Sequence, residues 1–349
     1  MTGGGAIRAA RITDRQALVE LSRRVHVAPD SYRRSLGVPA PSANLPRISL
    51  AALIPSWLPL RHPSVHLVAE ADGELVGSCR AVEEPGRDDW VIIELDAADG
   101  PMAGEIRYAL LRALVEEAAQ HDVTRFHAAC SDVRENLELF GQLSFMAYAQ
   151  EEILYRPPEA ARGPGSWMRS LLHRDGSQAD PSTDGLPDLL PAGAPDAWHL
   201  FDLWSHATPP AIARVEGYSA ADWENVAHEG VVPRTSLNPL LHFSGVQALL
   251  MPHDQRAGGF GQHGSCREGP HYLRFLVREG IDGASFLRAV LAAVGVEALG
   301  AGFLSPVRTY ETTGLRAASA AGFEPIGRVT LLVREVRAAV RQPAMVPAI

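Results

Sequence analysis

The sequence predicts a mixed α/β fold that is present twice in one chain. Strand-like and helix-like stretches follow the same order before and after a Pro- and Gly-rich stretch at 157–195. Equivalent residues of the two halves, Leu110 with Leu287 and Phe145 with Phe323, lie about 180 positions apart, as a duplication would place them. The chain has 349 residues, which corresponds to about two domains of ordinary size.

The first half begins with a strand and an amphipathic helix and continues with a hairpin. Thr13 and Asp14 are predicted to cap that helix, in which Leu18 and Leu21 share one face. The dipeptide Asp72-Gly73 supplies the positive φ values of a tight turn. Strands are expected at 6–10, 66–71, 74–83, 90–95, 125–129 and within 145–155, and further helices at 104–121 and 133–143.

The second half repeats this order after a predicted linker that contains one short helix at 167–172. Around its first helix, three tryptophans and a tyrosine are expected to line a groove edge or the core, and an acceptor pocket there is an alternative: Trp198, Trp204, Trp223 and Tyr218. Strands are expected at 186–190, 246–251, 258–264, 272–277, 302–307 and 329–335, and helices at 195–205, 283–294 and 313–321.

Composition excludes several classes of protein. A formal charge of -9 opposes the basic surface that nucleic acids require. The apolar run at 48–60 contains Pro55 and Pro59 and is shorter than the ~20 residues of a membrane span, so no membrane association is expected. The start of the sequence lacks a signal-peptide pattern, and the three cysteines fit reduced thiols. A cytoplasmic protein is therefore predicted.

Short segments in both halves carry a resemblance to a known family. The segment 69–77 resembles the second and third strands of the GCN5-related N-acetyltransferase (GNAT) family, and 108–114 its third helix. The segment 139–145 is similar to the family's LYExxGF helix end, and 320–327 is its counterpart in the second half. The resemblance covers most of the chain outside the linker.

The resemblance implies two tandem GNAT folds, each a mostly antiparallel sheet flanked by helices. The fourth and fifth strands of each sheet would splay apart around the pantetheine arm of acetyl-CoA, and in the first half these are 90–96 and 125–129. We therefore expect a first GNAT-like domain at 1–156, a linker at 157–184, a second GNAT-like domain at 185–337 and a C-terminal tail at 338–349.

The resemblance also implies acetyl-CoA as the cosubstrate. GNAT proteins hold its pyrophosphate on backbone N–H groups in an RxxGxG/A loop at a helix N-terminus. The corresponding loops here depart from that pattern. Gly104 and Arg107 are the cofactor-binding candidates in the first half, and Gly280 and Gly283 those in the second.

Each of these loops also contains an acid. A carboxylate ~5 Å from a phosphate costs ~3 kcal/mol at an effective dielectric constant of 20, more than the ~0.3–2 kcal/mol that a helix dipole returns. Glu105 and Asp282 would therefore prevent binding if they faced inward. Alternatively, they point to solvent and stabilise the first turns of their own helices.

Acetyl transfer to an amine also requires a base and, for the departing thiolate, a proton donor. Glu94 and Asp96 share one face of the fourth strand, and Glu94 is the candidate base; the alternative is a solvated acid on that face. GNAT proteins usually place a donor tyrosine in the helix after the fifth strand, where this chain has Phe140 and Ala318. Tyr310 is a candidate substitute donor, or an ordinary packing or surface residue.

No metal site is predicted, because His253, His263, Cys266 and His271 match no closed zinc spacing. The leading hypothesis is an acyl-CoA-dependent N-acetyltransferase acting on a small amine, either a monomer with pseudo-dimeric halves or a homodimer. The alternative is a non-catalytic tandem GNAT protein that binds a metabolite or protein in the inherited cleft.

Overall fold

The structure is a computed structural model of the chain. It describes residues 6–27, 64–84, 87–119, 123–158, 185–226, 233–241, 243–267 and 269–336, with the backbone alone at 296–298. The chain divides into two compact units. Among the described residues, unit 1 comprises those within 6–27, 64–147 and 332–336, and unit 2 comprises those within 148–331.

The elements of unit 1 are β1 (Ala6–Ala9), α1 (Arg15–Val27), β2 (Ser64–Ala71), β3 (Glu74–Glu83), β4 (Asp89–Ala97), α2 (Ala103–Ala118), β5 (Arg125–Ser131) and α3 (Arg134–Gln142). The five strands neighbour one another in the order β1-β2-β3-β4-β5. Neighbouring strands are antiparallel except β4 and β5, which are parallel.

Alternation along the strands of unit 1 sends apolar side chains to the face on which α2 lies. Leu67, Cys79 and Leu95 pack there against Leu110 and Leu114 of α2. Each Å² of apolar surface removed from water stabilises the folded state by ~20 cal/mol or more. Burial against this face of the sheet is therefore the main stabilising contact of α2. The opposite face of the sheet is covered by α1.

Unit 2 contains a sheet of order β6-β11-β10-β9-β8-β7, in which only β10 and β11 are parallel. Its elements are β6 (Met146–Arg156), β7 (Leu190–Pro191), α4 (Ala197–Ala207), α5 (Pro210–Glu216), β8 (Phe243–His253), β9 (Arg256–Cys266), β10 (His271–Val277), α6 (Gly283–Val294), α7 (Val296–Ala301), β11 (Phe303–Arg308) and α8 (Thr312–Ala320), followed by β12 (Glu324–Glu335).

The sheet of unit 2 has one core on each face. Phe275 of β10 packs with Phe286 of α6 and Ala317 of α8. On the other face Leu276 packs with Trp204 of α4 and Trp223. Trp204, Trp223 and Tyr218 are thus core residues, as one of the two expectations had it, whereas Trp198 is 63% exposed.

β6, the last strand of the first half, lies mainly in unit 2, and β12, the last strand of the second half, is divided between the two units. Met146 and Ala147, the first residues of β6, belong to unit 1, but Ile153 and Leu154 of β6 are core residues of unit 2. Leu332, near the end of β12, is in the core of unit 1. The two compact units therefore do not coincide with the expected segments 1–156 and 185–337.

Most predicted elements are present, and a few differ. The strand expected at 186–190 is only the pair Leu190–Pro191, because Pro191 has no N–H to extend a ladder. Helices α5 and α7 were not predicted. The helix expected at 167–172, most of the linker and the tail at 338–349 lie outside the described residues.

Candidate active site

β4 and β5 of unit 1 separate after a short stretch of parallel pairing, as the resemblance to the GNAT family implied. A register shift between Arg80 and Ala81 of β3 leaves Ile93 of β4 as a bulge, which increases local bending of β4. The paired residues of β4 and β5 are Asp89 with Arg125, Trp90 with Phe126 and Val91 with His127. Beyond Val91, the edge of β4 that faces β5 forms no further ladder with it.

The N-terminus of α2 follows β4 closely and is open. Met102 at the N-cap makes no capping hydrogen bond through its side chain. Gly104 is exposed, and a Cβ built there would meet no atom within 4 Å. Glu105 is exposed, so its side chain points to solvent. Arg107, the residue directly after the first turn of α2, is partly buried. The N–H of Ala103, the first residue of α2, donates to the Gly100 carbonyl at 3.1 Å. The N–H groups of Gly104 and Glu105 are the ones that have space for an anion.

Glu94 lies on the face of the sheet that α1 covers, and its side chain is 15% exposed. The Ser78 hydroxyl donates a short hydrogen bond to Oε1 of Glu94 and lies 2.8 Å from Nε2 of His66. Nε of Arg80 is 3.7 Å from Oε2 of Glu94. These contacts stabilise the ionised carboxylate of Glu94. Asp96, on the same face, is buried.

His66 is held in its neutral form. Burial lowers the pKa of its imidazole, and the opposing attraction of Glu94 does not compensate. Its Nδ1 atom is buried and has no hydrogen-bond partner among the described residues.

Phe140 of α3 cannot donate a proton and has a packing role. Its side chain is fully buried, and its ring meets the ring of Phe145 edge-on at 5.1 Å. Ala318 of α8 is likewise buried in the core of unit 2. Both positions at which a donor tyrosine would be expected are therefore parts of the hydrophobic core.

β10 and β11 of unit 2 separate even earlier than β4 and β5. They pair only through His271 with Phe303 and Tyr272 with Leu304. A cavity of about 300 Å³ lies beside the separated ends, between Phe275, Arg278, Tyr310 and the α4 residues Leu203 and His206. Its volume is at the lower end of the range for small-ligand sites.

The N-terminus of α6 differs from that of α2 because an acid occupies it. Oδ1 of Asp282 accepts hydrogen bonds from the backbone N–H groups of Ala284 at 3.1 Å and Ser285 at 3.2 Å. Oδ2 accepts from the Ser285 hydroxyl at 2.6 Å. These bonds lower the pKa of Asp282. The carboxylate therefore uses the N–H groups that a phosphate would need.

The two glycine candidates of unit 2 have structural reasons to be glycine. Gly280 has φ +88° in the turn before α6, a conformation that L side chains rarely adopt. Gly283 begins α6, and a Cβ there would lie 3.0 Å from the Cβ of Ala317 in α8. Gly283 thus permits close packing of α6 on α8.

Tyr310 follows β11 and lines the cavity of unit 2. Burial raises the pKa of its hydroxyl, which therefore stays protonated at neutral pH. The geometry brings Tyr310 together with Arg278 and Thr312 at this cavity.

Buried ion pairs occupy the face of β10 and β11 opposite α6 and α8. Arg274 donates to both carboxylate oxygens of Glu311, at 2.8 and 2.5 Å. Arg308 donates to Glu216 at 2.5 Å and lies 3.2 Å from Glu151. Burial raises the pKa of Glu216, and Arg308 opposes this effect. The sequence did not predict this network, whose members come from four separate segments.

His66, Ser78 and Arg80 were also missed from sequence. The sequence does contain a signal for them, because His66 stands between apolar neighbours in β2, and Ser78 and Arg80, two positions apart, share one face of β3. Their grouping around Glu94 depends on the pairing of Arg80 with Glu94 and of His66 with Arg80, which the sequence alone does not specify.

Metal-ligating side chains and long apolar helices both bear on the class of protein. No group of three or more potential ligands able to hold a metal ion is present in the part of the chain that the structure describes. His263 and His271 do meet, with Nε2 and Nδ1 2.8 Å apart. Among the described residues, no helix is long and apolar enough to cross a membrane.

Three solved structures resemble the chain over most of its length. A tandem GNAT protein from the clavulanic acid biosynthesis pathway superposes with a TM-score of 0.53 at 14% identity, covering 95% of this chain and 98% of that chain. A GCN5-related N-acetyltransferase from Sphaerobacter thermophilus gives 0.51 at 14% identity, with coverages of 95% and 96%.

A putative acetyltransferase from Pyrococcus horikoshii gives a TM-score of 0.50 at 12% identity, with coverages of 96% and 90%. No protein-family model and no curated protein matches the chain. At these identities the likeness concerns the fold. The chain has the tandem GNAT fold that the sequence predicted.

Proposed function

We propose that the protein is an acyl-CoA-dependent N-acetyltransferase that acts on a small amine in the cytoplasm, and that unit 1 carries the reaction. The proposal depends above all on one observation: the start of α2 is uncapped beside the separated strands β4 and β5. Glu94 on β4 supplies a carboxylate at the same strand.

Two features of unit 1 fit acetyl-CoA. The open N-terminus of α2 offers backbone N–H groups and the positive end of the helix dipole to the two phosphates. The edge of β4 beyond Val91 offers backbone donors and acceptors to the amides of the pantetheine arm, as it would to an added strand. When bound, acetyl-CoA supplies the thioester carbonyl that the amine attacks.

Glu94 is proposed as the base. An alkylammonium group of pKa ~10.4 must lose a proton before it can attack, and only about one molecule in a thousand is deprotonated at pH 7. An ionised carboxylate held by Ser78 and Arg80 attracts the ammonium group and accepts its proton, directly or through a water molecule.

Unit 1 offers no tyrosine at the position of Phe140 to protonate the departing thiolate. The absence of an acid lowers the rate by ~10²–10⁴. A thiol of pKa ~8.5 is nevertheless a tolerable leaving group without one. We therefore propose slow turnover that does not depend on a general acid in α3.

Unit 2 is proposed to support unit 1 without transferring acetyl groups. Asp282 caps the start of α6, and a phosphate placed ~5 Å from its carboxylate would lose ~3 kcal/mol. The cavity beside Tyr310 remains a candidate small-molecule site. Under this proposal Tyr310 has no role as a proton donor to a thiolate. The working form is a monomer with dimer-like halves or a homodimer.

The alternative function is a non-catalytic tandem GNAT protein that binds a metabolite or a protein in one of its clefts. Two observations favour it: the cap that Asp282 forms on α6, and the packing role of Phe140. Under this alternative acetyl-CoA, if it binds at all, is never consumed.

Release of CoA from acetyl-CoA in the presence of a panel of small primary amines tests the proposal. The wild type should release CoA with at least one amine, and Glu94→Gln should lower kcat by ~10²–10⁴ because the base is lost. Acetyl-CoA should bind the variant as tightly as the wild type. CoA release that is no faster than with Glu94→Gln for every amine would favour the non-catalytic alternative.

A further inference from the structure

We infer that Ser78 and His66 are positioning residues for Glu94, linked to it by a relay of hydrogen bonds across three strands. The inference rests on the proposed role of Glu94 as the base. The relay runs from His66 on β2 through Ser78 on β3 to Glu94 on β4.

The direction of each hydrogen bond follows from chemistry. An ionised carboxylate only accepts, so the single hydroxyl hydrogen of Ser78 points to Oε1 of Glu94. The Ser78 oxygen must then accept from Nε2–H of His66, 2.8 Å away. This arrangement fixes His66 as the neutral tautomer with hydrogen on Nε2 and a bare Nδ1.

Burial makes that tautomer stable. The side chain of His66 is 2% exposed, and Nδ1 has no hydrogen-bond partner among the described residues. Protonation would bury both a charge and an unpaired N–H, which is costly in the protein interior. His66 therefore donates to Ser78 throughout the neutral pH range and does not itself take up the proton from the amine.

The relay has two consequences for Glu94. It fixes one carboxylate oxygen toward β3, while Arg80 faces the other at 3.7 Å, so the carboxylate has a defined orientation. The relay also favours the charged form of Glu94, because a hydrogen bond donated to a carboxylate stabilises its ionised state.

Other charged groups act on the same cluster and would share its titration. Asp14 in the turn before α1 attracts a protonated His66, and Arg80 repels it. Asp96 lies two residues beyond Glu94 on the same face of β4. A test must therefore compare variants that change only the relay.

The dependence of kcat and KM on pH tests the inference in the full-length protein. In Ser78→Ala the acidic limb of kcat should move upward by about one pH unit, because the charged form of Glu94 loses a donor. At neutral pH kcat should fall about tenfold, with KM for acetyl-CoA unchanged. Ser78→Thr retains the hydroxyl and should restore the limb to its wild-type position.

A second pair of variants separates positioning from proton uptake. Gln at position 66 retains an N–H donor for Ser78, whereas Leu does not. His66→Gln should keep most of the activity and the wild-type pH profile, and His66→Leu should resemble Ser78→Ala. Equal loss in both variants would overturn the positioning role.

Carbon-13 NMR titration of Glu94, assigned by difference with Glu94→Gln, provides a readout that does not require turnover. Ser78→Ala should raise the pKa of Glu94, and Ser78→Thr should not. An unchanged titration in a folded Ser78→Ala protein would overturn the relay even if the enzyme is active. A shifted titration without any turnover would retain the relay and reject the proposed function.

Discussion

Arg308 lies in the interior of unit 2 between the carboxylates of Glu216 and Glu151. Replacing it with Met should lower the free energy of unfolding by about 3–5 kcal/mol, because two buried acids lose their counter-ion. Without Arg308 the raised pKa of Glu216 rises further, so the deficit should grow as the pH increases above 4.5.

Urea denaturation at pH 5 and pH 7 measures this effect. Arg316→Met, at an exposed position of α8, is the matched control and should change stability by less than about 0.5 kcal/mol. A loss below about 1 kcal/mol in Arg308→Met would contradict the assigned burial of the pair.

His263 and His271 form a neutral pair at the start of β10. Burial and the neighbouring ring lower the pKa of His263 to about 4, against an ordinary value of 6.5. The unfolded chain therefore binds this proton first, and the stability that the pair contributes is present above pH 6.5 and is lost as the pH falls toward 4.

His263→Gln should remove part of this acid sensitivity, by an amount on the order of 1 kcal/mol after allowance for solvent screening. Urea midpoints at pH 7 and pH 4.5 provide the measurement. His253→Gln, at an exposed position, should retain the wild-type sensitivity. If His263→Gln also retains the wild-type loss of stability at pH 4.5, protonation of the His263–His271 pair is not its cause.

Some of the candidate site at the residue scale was accessible from sequence. Alternation in β4 predicted correctly that Glu94 and Asp96 share a face, since the bulge at Ile93 precedes both. Ser78 and His66 were not predicted as site residues, because alternation within a single strand does not show which residues of neighbouring strands lie side by side. Only the register between strands brings them within hydrogen-bond distance of Glu94 or of each other.

At the scale of elements, Asp282 is expected to stabilise α6 as its N-cap. Asp282→Ala removes the acceptor of two backbone N–H groups and should cost about 1 kcal/mol. Asp282→Asn keeps an acceptor oxygen and should cost less. Thermal unfolding of the two variants measures the difference, and equal melting temperatures would show that the cap contributes nothing.

Elements with strong local signals were predicted closely, and those without them were missed. The hairpin of β2 and β3 was placed correctly because its turn requires positive φ at two positions, and Asp72 and Gly73, which adopt it, are residue types that tolerate it. α5 was missed because it begins at Pro210. Proline usually indicates the end of regular structure, although the first position of a helix tolerates it. β12 was predicted too short because Pro325 and Gly327 mask its beginning.

At the scale of the whole molecule, β6 of the first half lies mainly in unit 2, and β12 of the second half runs from unit 2 into unit 1. This division of the last strands could not be predicted. Hydrophobic alternation specifies which residues of β6 and β12 are buried, but not which core receives them. Ile153 and Leu154 fill the core of unit 2, and Leu332 that of unit 1.

We therefore expect fragments 1–158 and 185–349 to be unstable when they are produced separately. Each lacks a strand that completes its core, and a core leucine alone contributes about 2–5 kcal/mol. Circular dichroism during heating should show no cooperative transition for either fragment and a partly restored one after mixing. Cooperative unfolding of each fragment near the midpoint of the full chain would contradict the assignment of β6 to the core of unit 2 and of Leu332 of β12 to the core of unit 1.

The central claim is that acetyl-CoA binds unit 1 at the open start of α2, and calorimetric titration of the full chain tests it directly. We expect one binding site per chain. Gly104→Glu should abolish binding of acetyl-CoA, because it places a negative charge beside the phosphates. Gly104→Gln introduces a side chain of nearly the same size without the charge, and because the space around position 104 is open, this variant should retain binding. Ala284→Glu, which adds the same charge at the start of α6, should bind like the wild type. Absence of heat with the wild type, or loss of binding in Ala284→Glu but not in Gly104→Glu, would contradict the claim.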